Sequence, residues 1–521
     1  MMEELDKYTV IADNVPGMIN IVKKPDEYTP VYDIKFPAIE LTTQVILDSI
    51  KEKLIEVVRI EISEILDPKA MESMKKRFLE SAYKAISEQL PKVTDKQKDI
   101  LAGHLVHEML GLGKLEVILS DDNLEEIVIN NSFTPIYVYH KKFGWLKTNV
   151  IINSEDQIYN YASLIGRRIG RQITTLNPLM DAHLITGDRV NATLFPISTK
   201  GNTITIRKFS REPWTIIHFI DPKVKTISKE VAALLWLCIQ YELNILVAGG
   251  TASGKTSVLN ALMPFIPTNQ RIISIEDTRE LRLPDFLHWI PVTTREANPE
   301  GKGEVTMLDL LVNSLRMRPD RVVVGEIRRQ REAEVLFEAM HTGHSVYATL
   351  HADRAEQVVR RLINPPIDLP ETLLEALHLV IVQYRHRRFG IRRTLEVAEL
   401  IPGESRTIPP RLEILYRWKP TTDTIEKVKS SIRLINEIRL HTGMTEEQMG
   451  QDIREKELIL QWMLDNQIKT VNTVGMVVAE YYHNEDKVLK IVKNRGKPEE
   501  IIGKALLKEL ESVKELESVK E

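Results

Sequence analysis

One run in mid-chain, Gly249-Gly250-Thr251-Ala252-Ser253-Gly254-Lys255-Thr256, constrains this chain more than any other feature. It fits G-x-x-x-x-G-K-[ST], a loop whose glycines let backbone N–H groups converge on phosphate oxygens. Such a loop needs a strand that delivers it and a helix whose N-terminus faces the phosphates. Both flanks comply. Ile245-Leu246-Val247-Ala248 reads as a buried strand, and Ser257-Val258-Leu259-Asn260-Ala261-Leu262-Met263 reads as the helix. The motif gives Lys255 the role of a point charge on the phosphates and Thr256 that of a hydroxyl ligand for Mg²⁺. Gly250, Thr251, Ala252, Ser253, Gly254 and Ser257 then line the cradle.

A chain of 521 residues is too long for one hydrophobic core, so two or three domains are expected. The net charge of -4 argues against a dedicated nucleic-acid binder, which is usually strongly basic. The single cysteine, Cys238, follows the apolar run Ala232-Ala233-Leu234-Leu235-Trp236-Leu237 and reads as a buried small hydrophobe, which excludes internal disulfides and cysteine-rich zinc sites. The acidic N-terminus has no apolar core, so it is not expected to act as a secretory signal. The longest apolar stretch, Val231 to Gly249, is broken by Gln240, Glu242 and Asn244 and must also supply the loop's strand, so it is not read as a membrane span. The expected location is cytoplasmic, with any membrane attachment made through partners.

Residues 1–30 lack clear periodicity and read as an extended arm, and 31–110 as a helical region. There Ile46, Ile50, Leu54, Val57 and Val58 form a stripe closed by Pro68, a second helix covers Met71 to Ile86, and Thr94-Asp95-Lys96-Gln97 opens a third as a capping box. Residues 111–212 read as a small α/β domain with strands at Ile127–Ile129 and Ile136–Tyr139 and a helix from Ile158 to Ile173. A hairpin of Arg189–Phe195 with Thr203–Phe209 turns at Lys200-Gly201-Asn202. Residues 213–222 read as a linker and 223–403 as the phosphate-loop core, where strands and helices alternate as in a mostly parallel sheet. Residues 404–521 read as a helical region whose repeated tail, Glu509–Lys514 and Glu515–Lys520, is a solvated helix.

Ligands of open α/β sheets gather outside the carboxyl ends of the strands. Four segments of the core run strand-like and stop at polar chemistry: the loop itself, Arg271–Ile275 before Glu276-Asp277, Arg321–Val324 before Gly325-Glu326, and Ser345–Leu350 before His351. Because Gly325 occupies the place beside Glu326, Glu326 is the one carboxylate at its strand tip and the candidate for activating water. Glu276 and Asp277 offer a second acidic contact through Mg²⁺-bound water. His341-x-x-His344 lacks a zinc spacing. His344 and His351 flank the fourth strand as either structural or functional groups. Phosphoryl transfer needs positive charge on the terminal phosphate, and Arg189, Arg207, Arg316, Arg318, Arg328 and Arg329 are all candidates to supply it.

These residues resemble the secretion ATPases that drive type II and type IV secretion, type IV pili and the archaeal flagellum (archaellum). Gly249–Thr256 is similar to the family's first nucleotide motif, and Ile275-Glu276-Asp277 to its aspartate box. Ser314–Arg328 is similar to its glycine-containing second nucleotide motif, and Thr342-Gly343-His344 with Thr349-Leu350-His351 to its histidine box. Asp181–Lys208 resembles its N-terminal domain, so the likeness runs from about Leu110 to about Gly403. Two departures stand out: Ala252 replaces a common glycine, and the four-cysteine zinc insertion of many type II members cannot exist here. The helical extensions look most like the archaellum motor ATPase, although archaeal pilus-assembly ATPases share the same motifs. The resemblance implies a RecA-like C-terminal ATPase domain with a mostly parallel sheet, preceded by a smaller α/β domain and an N-terminal helical bundle. It implies ATP and Mg²⁺ as ligands, Lys255, Glu276, Asp277, Glu326 and His351 as catalytic groups, and Arg189 and Arg207 crossing to the nucleotide. It further implies a homo-hexameric ring acting on a polytopic membrane platform protein with accessory filament-motor proteins, without zinc or nucleic acid. The rival readings are a nucleic-acid translocase, which the net charge disfavours, and a nucleotide-binding regulator without turnover.

Overall fold

The computed structural model describes residues 3–57, 68–169, 171–184, 187–209, 212–295, 297, 301–386, 388–403 and 410–503. It separates into two compact units, Met1–Arg211 and Glu212–Glu521. The repeated tail and Val58 lie outside the described residues.

Among its described residues, the first unit is built on nine strands: β1 (Glu3–Ala12), β2 (Val15–Lys23), β3 (Val31–Lys35), β4 (Leu124–Ile129), β5 (Tyr137–His140), β6 (Gly144–Thr148), β7 (Leu179–His183), β8 (Arg189–Thr193) and β9 (Thr203–Arg207). They form one sheet in the order β1-β2-β3-β6-β5-β4-β9-β8-β7. Residues expected as an extended arm are therefore sheet strands. β1 and β2 pair as an antiparallel hairpin through Asp13 and Asn14, whose φ values of 46° and 68° give the left-handed turn that matches strand twist. Acidic and basic residues along β1 hide its alternation, but β2 buries Val15, Ile19 and Ile21. Pro68, expected to stop the first helix, instead begins the helix Pro68–Gln89, where a missing N–H does no harm. With Leu41–Val57 and Asp95–Met109 that helix closes a separate core of Leu47, Ile50, Phe78, Ile86 and Leu105. The capping box at Thr94 and Gln97 is present. The helix expected at Ile158–Ile173 spans Glu155–Arg168, capped by the Ser154 side chain.

The second unit holds β10 (Ile245–Gly249), β11 (Ile272–Glu276), β12 (Trp289–Thr293), β13 (Arg321–Val324), β14 (Ser345–Leu350), β15 (Leu379–His386), β16 (Ile391–Ile401), β17 (Arg411–Lys419) and β18 (Thr424–Lys427). The order is β12-β11-β13-β14-β10-β15-β16-β17-β18, parallel from β12 to β15 and antiparallel beyond. Successive residues of the central strands point into two different cores. Ile245, Val247, Val323 and Tyr347 join Trp236 on one face, whereas Leu246, Ala248, Val322, Val324 and Val346 join Phe337 and Leu336 on the other. Strands wetted on neither face read as continuous apolar runs, which is how their sequence presents them.

Two expected boundaries move. Residues 213–222 form no free linker: Ile216–Ile220 is a short helix with four buried apolar residues, and the Thr215 hydroxyl donates to the Lys469 carbonyl. The region after 403 begins with strands β17 and β18, and its helices Arg433–Thr442, Glu446–Asp465, Val471–His483, Glu485–Lys493 and Glu499–Ile502 pack into the same core as helix Lys229–Gln240. Trp236 stacks on Phe265 at 4.9 Å and donates its indole N–H to the Tyr482 hydroxyl, which donates to the Phe265 carbonyl. Cys238 is buried, and its thiol is pushed up to about 12 by desolvation. Among the described residues, no helix is long and apolar enough to cross a membrane.

Candidate functional site

β10 delivers its chain directly into the loop. Gly249 has φ 153°, and a Cβ there would lie 2.5 Å from the Gln383 carbonyl oxygen of the neighbouring strand. Gly254 caps the following helix, Lys255–Leu262, in the left-handed region at φ 95°. Ala252 also sits there, at φ 58°. An alanine held so costs about 1–2 kcal/mol, although a glycine would lose most of that gain to unfolded-chain entropy. The alanine is thus tolerated, but its backbone is strained.

The Lys255 Nζ donates to the Gly250 carbonyl at 3.2 Å. Burial lowers the proton affinity of this amine, and the carboxylates of Glu326, Glu280 and Asp353 oppose that effect. Lys255 is therefore poised among anions without a tight ion pair among the described residues, as suits a cation that awaits phosphate.

The strand ends converge as the sequence implies. At the tip of β11, Glu276 is 2% exposed, and its Oε1 accepts the N–H groups of Glu280 and Leu281 at 2.9 and 3.0 Å. Its Oε2 is buried and has no hydrogen-bond partner among the described residues. Desolvation outweighs the two N–H donors and raises the carboxyl to about 7. Asp277 accepts from the Thr294 hydroxyl at 3.2 Å and from Arg328 Nη1 at 2.6 Å. At the tip of β13, Glu326 Oε2 receives Arg328 Nε at 2.8 Å and Nη2 at 2.8 Å. Beyond β14, His351 Nε2 lies 3.3 Å from the Thr251 hydroxyl of the loop.

Because β14 stands between β10 and β13, the loop and the Glu326 tip are two strand spacings apart, about 10 Å. The gap can admit a terminal phosphate and a water. Among the described residues no three His, Cys, Asp or Glu side chains gather to hold a metal by themselves. Thr256, the carboxylates at the ends of the same sheet and the orphaned Glu276 oxygen instead suit a hard cation that keeps waters and shares phosphate oxygens. Magnesium fits that donor set.

The other histidines separate from the site. His344 precedes β14 and His351 follows it, seven residues or about 23 Å away along the strand. His344 Nδ1 pairs with Ala339 O and the Thr342 hydroxyl, and His341 Nε2 with Leu373 O. Of the two readings left open for His344, its partners within this chain are local and structural. Arg316 and Arg318 also precede β13, at the sheet edge opposite the loop, and Arg329 caps the helix Gln330–His341. Arg189 and Arg207 belong to the first unit, where they face each other as register partners of β8 and β9, and Arg189 forks onto Asp181.

Sequence reasoning missed two neighbours of the loop. Arg392 on β16 donates its Nε to the Ala252 carbonyl at 3.3 Å, and Asp353 lies where a Cβ on Gly250 would meet its Oδ1 at 2.7 Å. No local motif marks Arg392, because the antiparallel turn from β15 to β16 brings it back to the loop.

The buried Glu276 carries a pH signature. Its folded proton affinity is raised, so between about pH 4.5 and 7 the folded chain keeps a proton that the unfolded chain has released. Stability therefore falls as pH rises through this window, by on the order of 3 kcal/mol at about 1.36 kcal/mol per unit. Glu276→Gln lacks that decline whatever its absolute stability. Urea midpoints at pH 5 and pH 8 will show the variant gaining on the parent at the higher pH; parallel pH dependence would remove the assignment.

Comparison with known proteins adds a family. The family described as Type II/IV secretion system protein matches residues 177–391. An uncharacterised protein of Methanocaldococcus jannaschii is 38% identical over 335 residues, 64% of this chain, and this chain spans 60% of that relative's length. The type IV secretion system protein PtlH of Bordetella pertussis is 30% identical over 306 residues, 53% of this chain and 89% of its own. Among solved structures, the Legionella pneumophila ATPase DotB is 18% identical, with 73% of this chain and 94% of that one covered at a TM-score of 0.41.

Proposed function

The chain belongs to the type II/IV secretion system protein family, and on that premise we propose that it is a Mg²⁺-dependent ATPase powering an archaeal surface filament. The observation that carries the reading is the meeting, at the carboxyl edge of one sheet, of a phosphate loop with Glu326 two strands away and Asp277 three. Backbone N–H groups of Gly250–Thr256 hold the β- and γ-phosphates, and Lys255 neutralises their charge. Thr256 would help hold Mg²⁺, which when bound would supply further charge neutralisation. Glu326 aligns the attacking water and takes its proton as the water oxygen bonds to the γ-phosphorus. The bond to the bridging oxygen breaks, and ADP leaves with the electron pair.

The filament proposed is the archaellum, with assembly and possible rotation driven by a hexameric ring of this chain. The ring acts from the inner face of the membrane on a polytopic platform protein and accessory filament-motor proteins. In this reading Arg189 and Arg207 cross to the nucleotide and His351 senses the loop through Thr251. The helical additions around the shared motifs are what favour that branch.

The test uses Lys255→Ala. In the purified full chain it is expected to lose fluorescent-ATP binding by at least about 10²-fold, since it removes a charge from a partly buried phosphate site. Binding within threefold of the parent would overturn the loop assignment. In the source cells, loss of swimming with pili intact supports the archaellum. Loss of pili with swimming intact transfers the reading to a pilus-assembly ATPase, and DNA-stimulated turnover transfers it to a translocase.

A further inference from the structure

Of the six candidate arginines, Arg328 is the one whose guanidinium lies between the two acidic strand tips. Its Nε and Nη2 both reach Oε2 of Glu326, and its Nη1 reaches Oδ2 of Asp277. Three of the five N–H directions of a rigid planar group are thus committed to two carboxylates on different strands. β11 and β13 are hydrogen-bonded neighbours, so the bridge closes over a fixed gap. Gly325 N–H donates to the Ile275 carbonyl across it. The fork takes hold of Oε2 only, which orients the second oxygen, Oε1, away from the ion pair.

Exposure decides whether this bridge serves the fold or the site. The side chains of Arg328, Glu326 and Asp277 are 60%, 25% and 40% exposed. Ion pairs that wet contribute about 0–1 kcal/mol to stability. A geometry this specific, with so little to give the fold, has its value in where it holds Glu326.

We propose that Arg328 is a positioning residue for ATP hydrolysis: anchored on Asp277, its guanidinium clamps Glu326 by Oε2 and presents Oε1 to the attacking water. This deepens, and rests on, the assignment of Glu326 as the group that activates water. Arg328 touches no reacting atom in this role. It sets the direction of the carboxylate, and a misdirected base loses rate by on the order of 10- to 10²-fold without loss of substrate.

The experiment compares Arg328→Gln, Arg328→Lys and Glu326→Gln in the full-length protein, reading steady-state ATP hydrolysis, fluorescent-ATP affinity and thermal midpoint. Arg328→Gln is expected to lower kcat at least tenfold, with nucleotide affinity within twofold and the thermal midpoint within a few degrees of the parent. Arg328→Lys is expected to fall equally far, because a single ammonium cannot fork between two carboxylates. The proposal is overturned if Arg328→Gln keeps its kcat while Glu326→Gln loses it, which leaves the role of Glu326 standing. It is also overturned if lysine restores full turnover, or if affinity falls with kcat, which would place Arg328 on the nucleotide itself. Turnover retained in Glu326→Gln removes the parent assignment instead.

Discussion

Glu326→Gln binds ATP within about threefold of the parent and turns it over about 10²- to 10⁴-fold more slowly. The range is that of a positioned general base. The substitution keeps the shape of the side chain and an oxygen for Arg328, whose Nε and Nη2 reach the present carboxylate at 2.8 Å. It removes only the capacity to take a proton. In the proposed mechanism nucleotide affinity resides elsewhere, in the loop after β10 and in Lys255, with β14 between that loop and Glu326. Phosphate release measured under saturating ATP, beside equilibrium titration of a fluorescent analogue, separates the two quantities. Turnover within tenfold of the parent would end the assignment, because the Gly325 position leaves β13 without a second carboxylate at its tip.

The second large effect is on stability and lies far from the nucleotide. Lys456 is fully buried in the helix Glu446–Asp465, ion-paired with Asp452, 3.3 Å from the Tyr481 hydroxyl, and over the rings of Trp236 and Tyr481 at 5.6 and 5.0 Å. Burial lowers the proton affinity of the ammonium, and Asp452 opposes that shift. Lys456→Met keeps the volume but leaves Asp452 as an uncompensated anion, with only the Tyr481 hydroxyl at 3.1 Å. Breaking one side of a buried pair costs about 3–5 kcal/mol. Urea unfolding of the second unit should report that loss, and the double variant Asp452→Asn, Lys456→Met should recover most of it. A single variant within 1 kcal/mol of the parent would show that the pair contributes nothing.

How much of this was legible in the sequence depends on how local each signal is. The phosphate loop is read from eight consecutive residues, and its strand and helix from the residues on either side. The tips at Glu276-Asp277, Glu326 and His351 are legible because a buried parallel strand is a short apolar run that stops where the sheet stops. The hairpin of β1 and β2 was missed for the opposite reason. An exposed strand carries charges on its wet face, and its turn uses Asp13-Asn14 without a glycine to announce it. Arg392 and the Arg328–Asp277 bridge depend on which strands become neighbours, and strand order is a property of the whole sheet. The separation of His344 from His351 follows from the length of β14 once that strand is fixed.

The shared packing of the C-terminal helices bears on where this protein can be cut. Tyr482 from the helix Val471–His483 reaches the carbonyl of Phe265, three residues beyond the helix that starts at Lys255, and the intervening side chains belong to one continuous apolar mass. A fragment ended at residue 403 would strip Tyr481 and Tyr482 from Trp236 and present a raw greasy wall to water. Secession of the nucleotide-handling half from its own C-terminus is therefore not open to this architecture.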